Sequence, residues 1–122
     1  PFVCRAALVF LDEIERGLLG QVQERGAQLR AGLERLQRDL PIVREVRGLG
    51  LMLGLRLHHS AEAVQKALHR NGLLVNCTAG DVLRIVPPYV VTAEQVEQAL
   101  QLLRETLATF PATAQTTAES PT

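Results

Sequence analysis

Arg84 is the charged side chain set inside an apolar run, in "DVLRIVPPYVV", residues 81 to 91. Val82, Leu83, Ile85 and Val86 around it read as a short buried strand, which Pro87-Pro88 stops. A guanidinium keeps its charge in proteins, and taking it out of water is costly unless an anion meets it. Alternation along a strand puts Val82, Arg84 and Val86 on one face, and Leu83 and Ile85 on the other. Two environments fit this pattern. One is an edge strand with Arg84 in water and its stem over apolar neighbours. The other is a cleft in which its fork grips a carboxylate through two parallel hydrogen bonds. Residue type and spacing leave both open.

The remaining reactive residues point to no catalytic or metal centre within the chain. Cys4 and Cys77 have no histidine near them in sequence to activate a thiolate. Ser60 reads as a helix cap, and Asp81 as a turn residue. His58-His59 ends a strand and His69 ends a helix, a spacing unlike that of metal ligands. Lys66 is the only lysine and so the only residue able to form a Schiff base. It stands four residues after Glu62 and off the Val64/Leu68 stripe, as an exposed helical ion pair does.

Composition narrows the classes of function. The chain has 122 residues and 47% hydrophobic content, enough for one domain with one core, packed mostly by Leu, Val and Ala. Thirteen basic residues balance thirteen acidic ones. No basic stripe with interleaved aromatics is present, so neither nucleic acid nor a membrane is an expected partner. No apolar run is long enough to span a bilayer. Two distant cysteines imply no disulfide scaffold, and a cytoplasmic location is expected. The chain opens at Pro1 without an initiator Met and is expected to be part of a longer protein.

The elements that must position Arg84 follow from periodicity. Val3, Ala7, Phe10, Leu11, Ile14 and Leu18 recur at helical spacing over 2–18, with a break expected around Gly17 and Gly20. A second helix over 21–40 carries Val22, Gly26/Ala27, Leu29, Leu33, Leu36 and Leu40 on its buried stripe. From 42 to 57 the period becomes two, with Leu49, Leu51, Leu53, Leu55 and Leu57 on one face and a turn or bulge at Gly48. Ser60 opens a helix that closes at Asn71-Gly72. Strands are expected at 73–76 and 82–86, separated by the turn "CTAGD". Thr92 and Gln95 form a capping box that starts the last helix. Residues 111–122, small and polar with prolines, are expected to be a disordered tail. The predicted fold is α+β, a small antiparallel or mixed sheet of about four strands with helices packed on one face.

The stretches "PFVCRAALVFLDEIE", "VREVRGLGLMLGLRL" and "GLLVNCTAGDVLRIVPPYVVTAEQVEQAL", in that order, resemble the class III pyridoxal-phosphate-dependent aminotransferases. The first resembles the family helix N-P-L-A-C-A-A-A-L-x-V-L-x-x-I-E, and the second its V-R-G-x-G-L-M-x-G-[IL]-x-L hairpin. The third resembles the segment that carries [VL]-[LI]-R-[FIL]-x-P before a capped helix, and is most similar to the acetylornithine members. The resemblance implies the C-terminal small domain of a fold-type I aminotransferase over 1–110, with 1–18 as its leading helix. It implies transfer of an amino group between N-acetylornithine, or a related ω-amino substrate, and 2-oxoglutarate, with pyridoxal 5′-phosphate as cofactor. The family's arginine in R-x-x-P binds the substrate carboxylate, and by motif that residue is Arg84. The family's Schiff-base lysine lies in a large domain that the three motifs do not include, and Lys66 matches no motif for it. The implied partners are the large cofactor-binding domain of the same protein, a small amino acid and oxoacid, and a second subunit in a homodimer. This chain alone is expected to be inactive, not to hold the cofactor covalently, and to self-associate through its leading helix. A stand-alone α+β binding or interaction module, with Arg84 as an anion anchor, is the other expectation.

Overall fold

The structure, a computed structural model, describes residues 2–112. Helix α1 (Phe2–Glu13) runs into one π-helical turn, Ile14–Leu18, and then into α2 (Leu19–Asp39). The expected break falls at Gly17, whose φ of +110° only glycine adopts without strain. α1 is apolar around most of its circumference, yet none of its residues is buried. Phe2 is 86% exposed and Val3 77%. α2 is where the core begins. Gly26, Leu29, Gly32, Leu33 and Leu36 fall on one stripe and are buried. Gly32 lets α2 approach the last helix, since a Cβ there would lie 2.2 Å from Leu100 Cδ1.

Pro41 follows α2, and strands β1 (Val43–Leu49) and β2 (Met52–Leu57) form an antiparallel hairpin. Leu53, Leu55 and Leu57 are at most 1% exposed and lie against Leu29, Leu33 and Leu36. The hairpin corrects two expectations. Leu49 pairs with Met52, so the turn is Gly50-Leu51 and not Gly48. Leu49 is 87% exposed on the outer face, while Leu51 tucks into the core from the turn itself. Gly48 stays in the ladder opposite Leu53, with φ +119°. The register shift lies earlier, between Val43 and Glu45.

Helix α3 (Glu62–Arg70) follows, with the Ser60 hydroxyl accepting from the Glu62 amide at 3.4 Å. It ends as expected: Gly72 has φ +91°, and the Leu73 amide donates back to the Leu68 carbonyl at 2.9 Å. The strand expected at 73–76 is displaced. β3 is Asn76–Thr78, and Val75 does not belong to the ladder. Its carbonyl accepts instead from Gln65 Nε2 at 2.9 Å and His69 Nε2 at 2.8 Å, so α3 side chains satisfy it. The turn shrinks to Ala79-Gly80-Asp81, the first two with positive φ, and β4 (Val82–Ile85) returns beside β3. Helix α4 (Ala93–Leu107) starts at the predicted capping box of Thr92 and Gln95.

The sheet order is β1-β2-β4-β3, antiparallel throughout. α2, α3 and α4 bury their apolar stripes against one face, as the α+β prediction requires. The other face carries no helix among the described residues. Of the tail expected at 111–122, residues 113–122 lie outside the described residues.

Two outcomes follow from this packing. A Cβ on residue 48 would meet the Met52 carbonyl oxygen at 2.1 Å in a backbone conformation foreign to alanine. Gly48→Ala is therefore expected to lower stability by about 2–4 kcal/mol, read from the urea unfolding midpoint. The chain itself is expected to self-associate through α1, and a chain starting at Leu19 to sediment as a smaller species at the same concentration. Equal sedimentation behaviour of the two would argue against α1 as the contact.

Candidate functional site

Arg84 sits on β4, the strand hydrogen-bonded on both sides, by β2 and by β3. Its cross-strand partners are Gly54 on β2 and Asn76 on β3. The expected alternation holds for its neighbours. Leu83 and Ile85 point into the core, at 0% and 8% exposure, and Arg84 points to the bare face. Val82 shares Arg84's face but is covered, lying over the space that Gly54 leaves. The edge-strand environment is thus corrected. Arg84 is solvent-exposed because it projects from an interior strand onto an uncovered sheet face, not because its strand lies at the rim.

The outer face holds a second arginine in a different electrostatic state. Arg56 on β2 pairs across with Val82 and Glu45, one row from Arg84. Its Nε donates to Asp81 Oδ2 at 2.8 Å. That hydrogen bond, reinforced by charge attraction, holds the Asp81 carboxyl below the usual aspartate range against the opposing effect of burial. The same bond raises the Arg56 guanidinium. Asp81 is more than a turn residue, because its carbonyl also accepts from the Leu57 amide at 2.8 Å. Backbone and side chain together fasten the start of β4 to the end of β2. Arg84, by contrast, makes no ion pair or side-chain hydrogen bond with any described residue.

Beside Arg84 lies a shallow cleft of about 320 Å³ lined by His69, Leu74, Val75, Asn76, Arg84 and Val86. His69 Nε2 lies 2.8 Å from the Val75 carbonyl oxygen and 3.4 Å from the Val75 amide. The shorter contact assigns the proton to Nε2 and fixes the ring on the cleft wall. Sequence reasoning missed Asn76 and His69 as neighbours of Arg84. The signal for Asn76 was the register of a strand placed three residues too early. The cleft presents one free cation, one neutral amide and an apolar rim. Such a set can orient a carboxylate, but it contains no nucleophile. Cys77 pairs with Leu83 on the core face, Cys4 is on α1, and Lys66 Nζ is 2.8 Å from Glu62 Oε1 on the exposed side of α3. Among the described residues, no three His, Cys, Asp or Glu side chains come together as metal ligands would. No described helix is long and apolar enough to cross a membrane.

Comparison with known proteins gives a concordant result. The family "Aminotransferase class-III" matches residues 1–107. Acetylornithine aminotransferase of Caldanaerobacter subterraneus subsp. tengcongensis is 43% identical over 110 residues, covering 88% of this chain and 28% of that protein. Acetylornithine aminotransferase of Aquifex aeolicus is 44% identical over 108 residues, covering 88% and 27%. Among solved structures, N-acetylornithine aminotransferase from Stenotrophomonas maltophilia superposes with a TM-score of 0.71 at 35% identity, covering 76% of this chain and 27% of that one. Acetylornithine aminotransferase from Elizabethkingia anophelis superposes with a TM-score of 0.73 at 27% identity, covering 79% and 26%. The chain therefore spans just over a quarter of the length of the curated relatives it matches.

The Arg56–Asp81 pair makes a pH prediction. A carboxyl lowered in the folded state contributes stability above its unfolded-state value, and loses it as pH falls through the folded one. Asp81→Asn should therefore be less stable than wild type at neutral pH, and the gap should close in acid below about pH 4. Urea midpoints across that range measure it, and a gap independent of pH would contradict the pair's role.

Proposed function

The chain belongs to the class III aminotransferases, and on that premise we propose that it is the C-terminal small domain of an enzyme transferring an amino group between N-acetylornithine and 2-oxoglutarate. In this reading residues 1–110 form the domain, and Arg84 binds the substrate carboxylate. One observation carries it: Arg84 is an exposed guanidinium on an interior strand, opening onto a cleft and matched by no acid of the described chain. A carboxylate supplied by substrate would complete it through a bidentate, charge-assisted pair. Both proposed substrates carry such a group, and the curated relatives' names point to the acylated amino acid.

Class III aminotransferases use pyridoxal phosphate. The residues present here do not fit that group. The chain's one lysine is committed to Glu62 on the far side of α3, whose carboxyl that bond lowers. The cofactor is therefore assigned to the portion of the relatives' length that this chain does not span, and the chain alone is expected to be inactive. Its own contribution is narrower. The sheet orients Arg84, the cleft wall limits where an apolar chain can lie, and substrate binding excludes water from the guanidinium. The partners in this reading are the large cofactor-binding domain and a second subunit. The uncovered apolar surface of α1 supports both. Two free cysteines fit the cytoplasmic location that belongs to the same proposal.

The test uses the full-length protein. Arg84→Gln should lower kcat/KM for N-acetylornithine and 2-oxoglutarate roughly 30- to 900-fold each, equivalent to the ~2–4 kcal/mol of a charge-assisted pair left unmade. Arg84→Lys should recover little, because a point charge does not reproduce the fork. Unchanged kcat/KM for both substrates would remove Arg84 from the site.

A further inference from the structure

The outer face of the sheet carries two arginines that differ in the residue set beside them. Arg56 has an acid, Asp81, at 2.8 Å, and its charge is satisfied within the chain. Arg84 has directly opposite it a residue of closely similar shape to aspartate but without charge, Asn76. Directly opposed residues of an antiparallel pair have Cβ atoms about 4.5–5.5 Å apart, so the amide and the guanidinium stand side by side. Both are exposed, and both line the same cleft. The third polar wall residue, His69, has its Nε2 spent on the Val75 carbonyl. Asn76 makes no side-chain hydrogen bond with any described residue. Its carboxamide is free to act.

We propose that Asn76 is a substrate-recognition residue that works beside Arg84. A carboxylate offers about four lone-pair directions, and an arginine fork takes two of them. The Asn76 Nδ2 hydrogens reach the same anion from the neighbouring strand and fill a third. Because the amide is neutral, it adds a donor without cancelling the charge that attracts the ligand. An acid at this position would do to Arg84 what Asp81 does to Arg56. The proposed ligand is the carboxylate of the amino acid or oxoacid, so the inference rests on the carboxylate site put forward above. It adds a second residue to that site, on a strand the sequence places only through its register with β4.

A set of substitutions at position 76 tests it. Glutarate, a dicarboxylate that cannot react, is titrated into the full-length protein by calorimetry for wild type, Asn76→Ala, Asn76→Ser, Asn76→Asp and Arg84→Gln. Asn76→Ala is expected to weaken binding roughly 3- to 10-fold, the loss of one hydrogen bond to a charged group. Asn76→Ser, which keeps one donor, should bind more tightly than Asn76→Ala. Asn76→Asp should be at least about ten-fold weaker than Asn76→Ala, because it pairs with Arg84 and repels the ligand. Aspartate would neutralise Arg84 whether or not Asn76 touches the ligand, so the alanine and serine variants carry the test of Asn76 itself. Asn76→Ala binding glutarate as tightly as wild type therefore overturns the inference. Arg84→Gln binding like wild type would instead overturn the carboxylate site itself, a separate result.

Discussion

A positive charge that cannot leave a hydrogen-bonded ladder is the constraint from which the rest of this structure follows. Arg84 has partners on both flanks, Gly54 and Asn76, and its immediate neighbours Leu83 and Ile85 are buried under the helices. A slip of one residue would drive the guanidinium into a leucine core and expose the leucine, so register is fixed strongly. The side chain keeps some rotamer freedom, but its origin and direction do not vary. Sites built on sheet strands hold geometry better than sites on loops. Under the function proposed above, this rigidity is what the chain would contribute to recognition of an anion.

The surrounding charges are arranged so that this one stays available. Asp81 lies three residues from Arg84, within reach of the same face, yet it is committed to Arg56 and to the Leu57 amide. The turn that places it there needs positive φ at Ala79 and Gly80. The opposite neighbour of Arg84 on β2 is a glycine, which adds neither bulk nor charge. The packing beneath has the same sense. α2 and α4 close together at Gly32 and Leu100, and the stripes of α2, α3 and α4 are all spent on the inner face. α1 is a stretch of apolar residues left uncovered, joined to the body through the glycine break at Gly17. An apolar helix without cover is the kind of surface that marks interaction sites, and the proposed function assigns it to the rest of the protein.

Much of this was legible in the residues because the signals were local. The Thr92/Gln95 box, the Asn71-Gly72 end of α3, the break at Gly17 and the Glu62–Lys66 pair each depend on contacts within a few positions. The α+β architecture followed from the change in period, and the class III membership from three ordered motifs. The errors came where a distant partner decided. Val75 looked like strand but gave its carbonyl to Gln65 and His69, which moved β3 onward and hid Asn76's place beside Arg84. Leu49 fits the leucine alternation, yet the turn at Gly50-Leu51 puts it on the outer face. Asp81 carried an adequate local explanation that concealed its bond to a residue 25 positions away. Arg84 shows the same division. Its strand and its facing were readable, whereas its interior position depended on β2 and β3 lying on either side.

The most direct measurement is a crystal structure of the full-length protein with glutarate bound. It should show a carboxylate gripped by both terminal nitrogens of the Arg84 fork at about 2.7–2.9 Å, on the uncovered face of the sheet. Glutarate bound elsewhere, with Arg84 paired to an acid of the protein or left in solvent, would contradict the account.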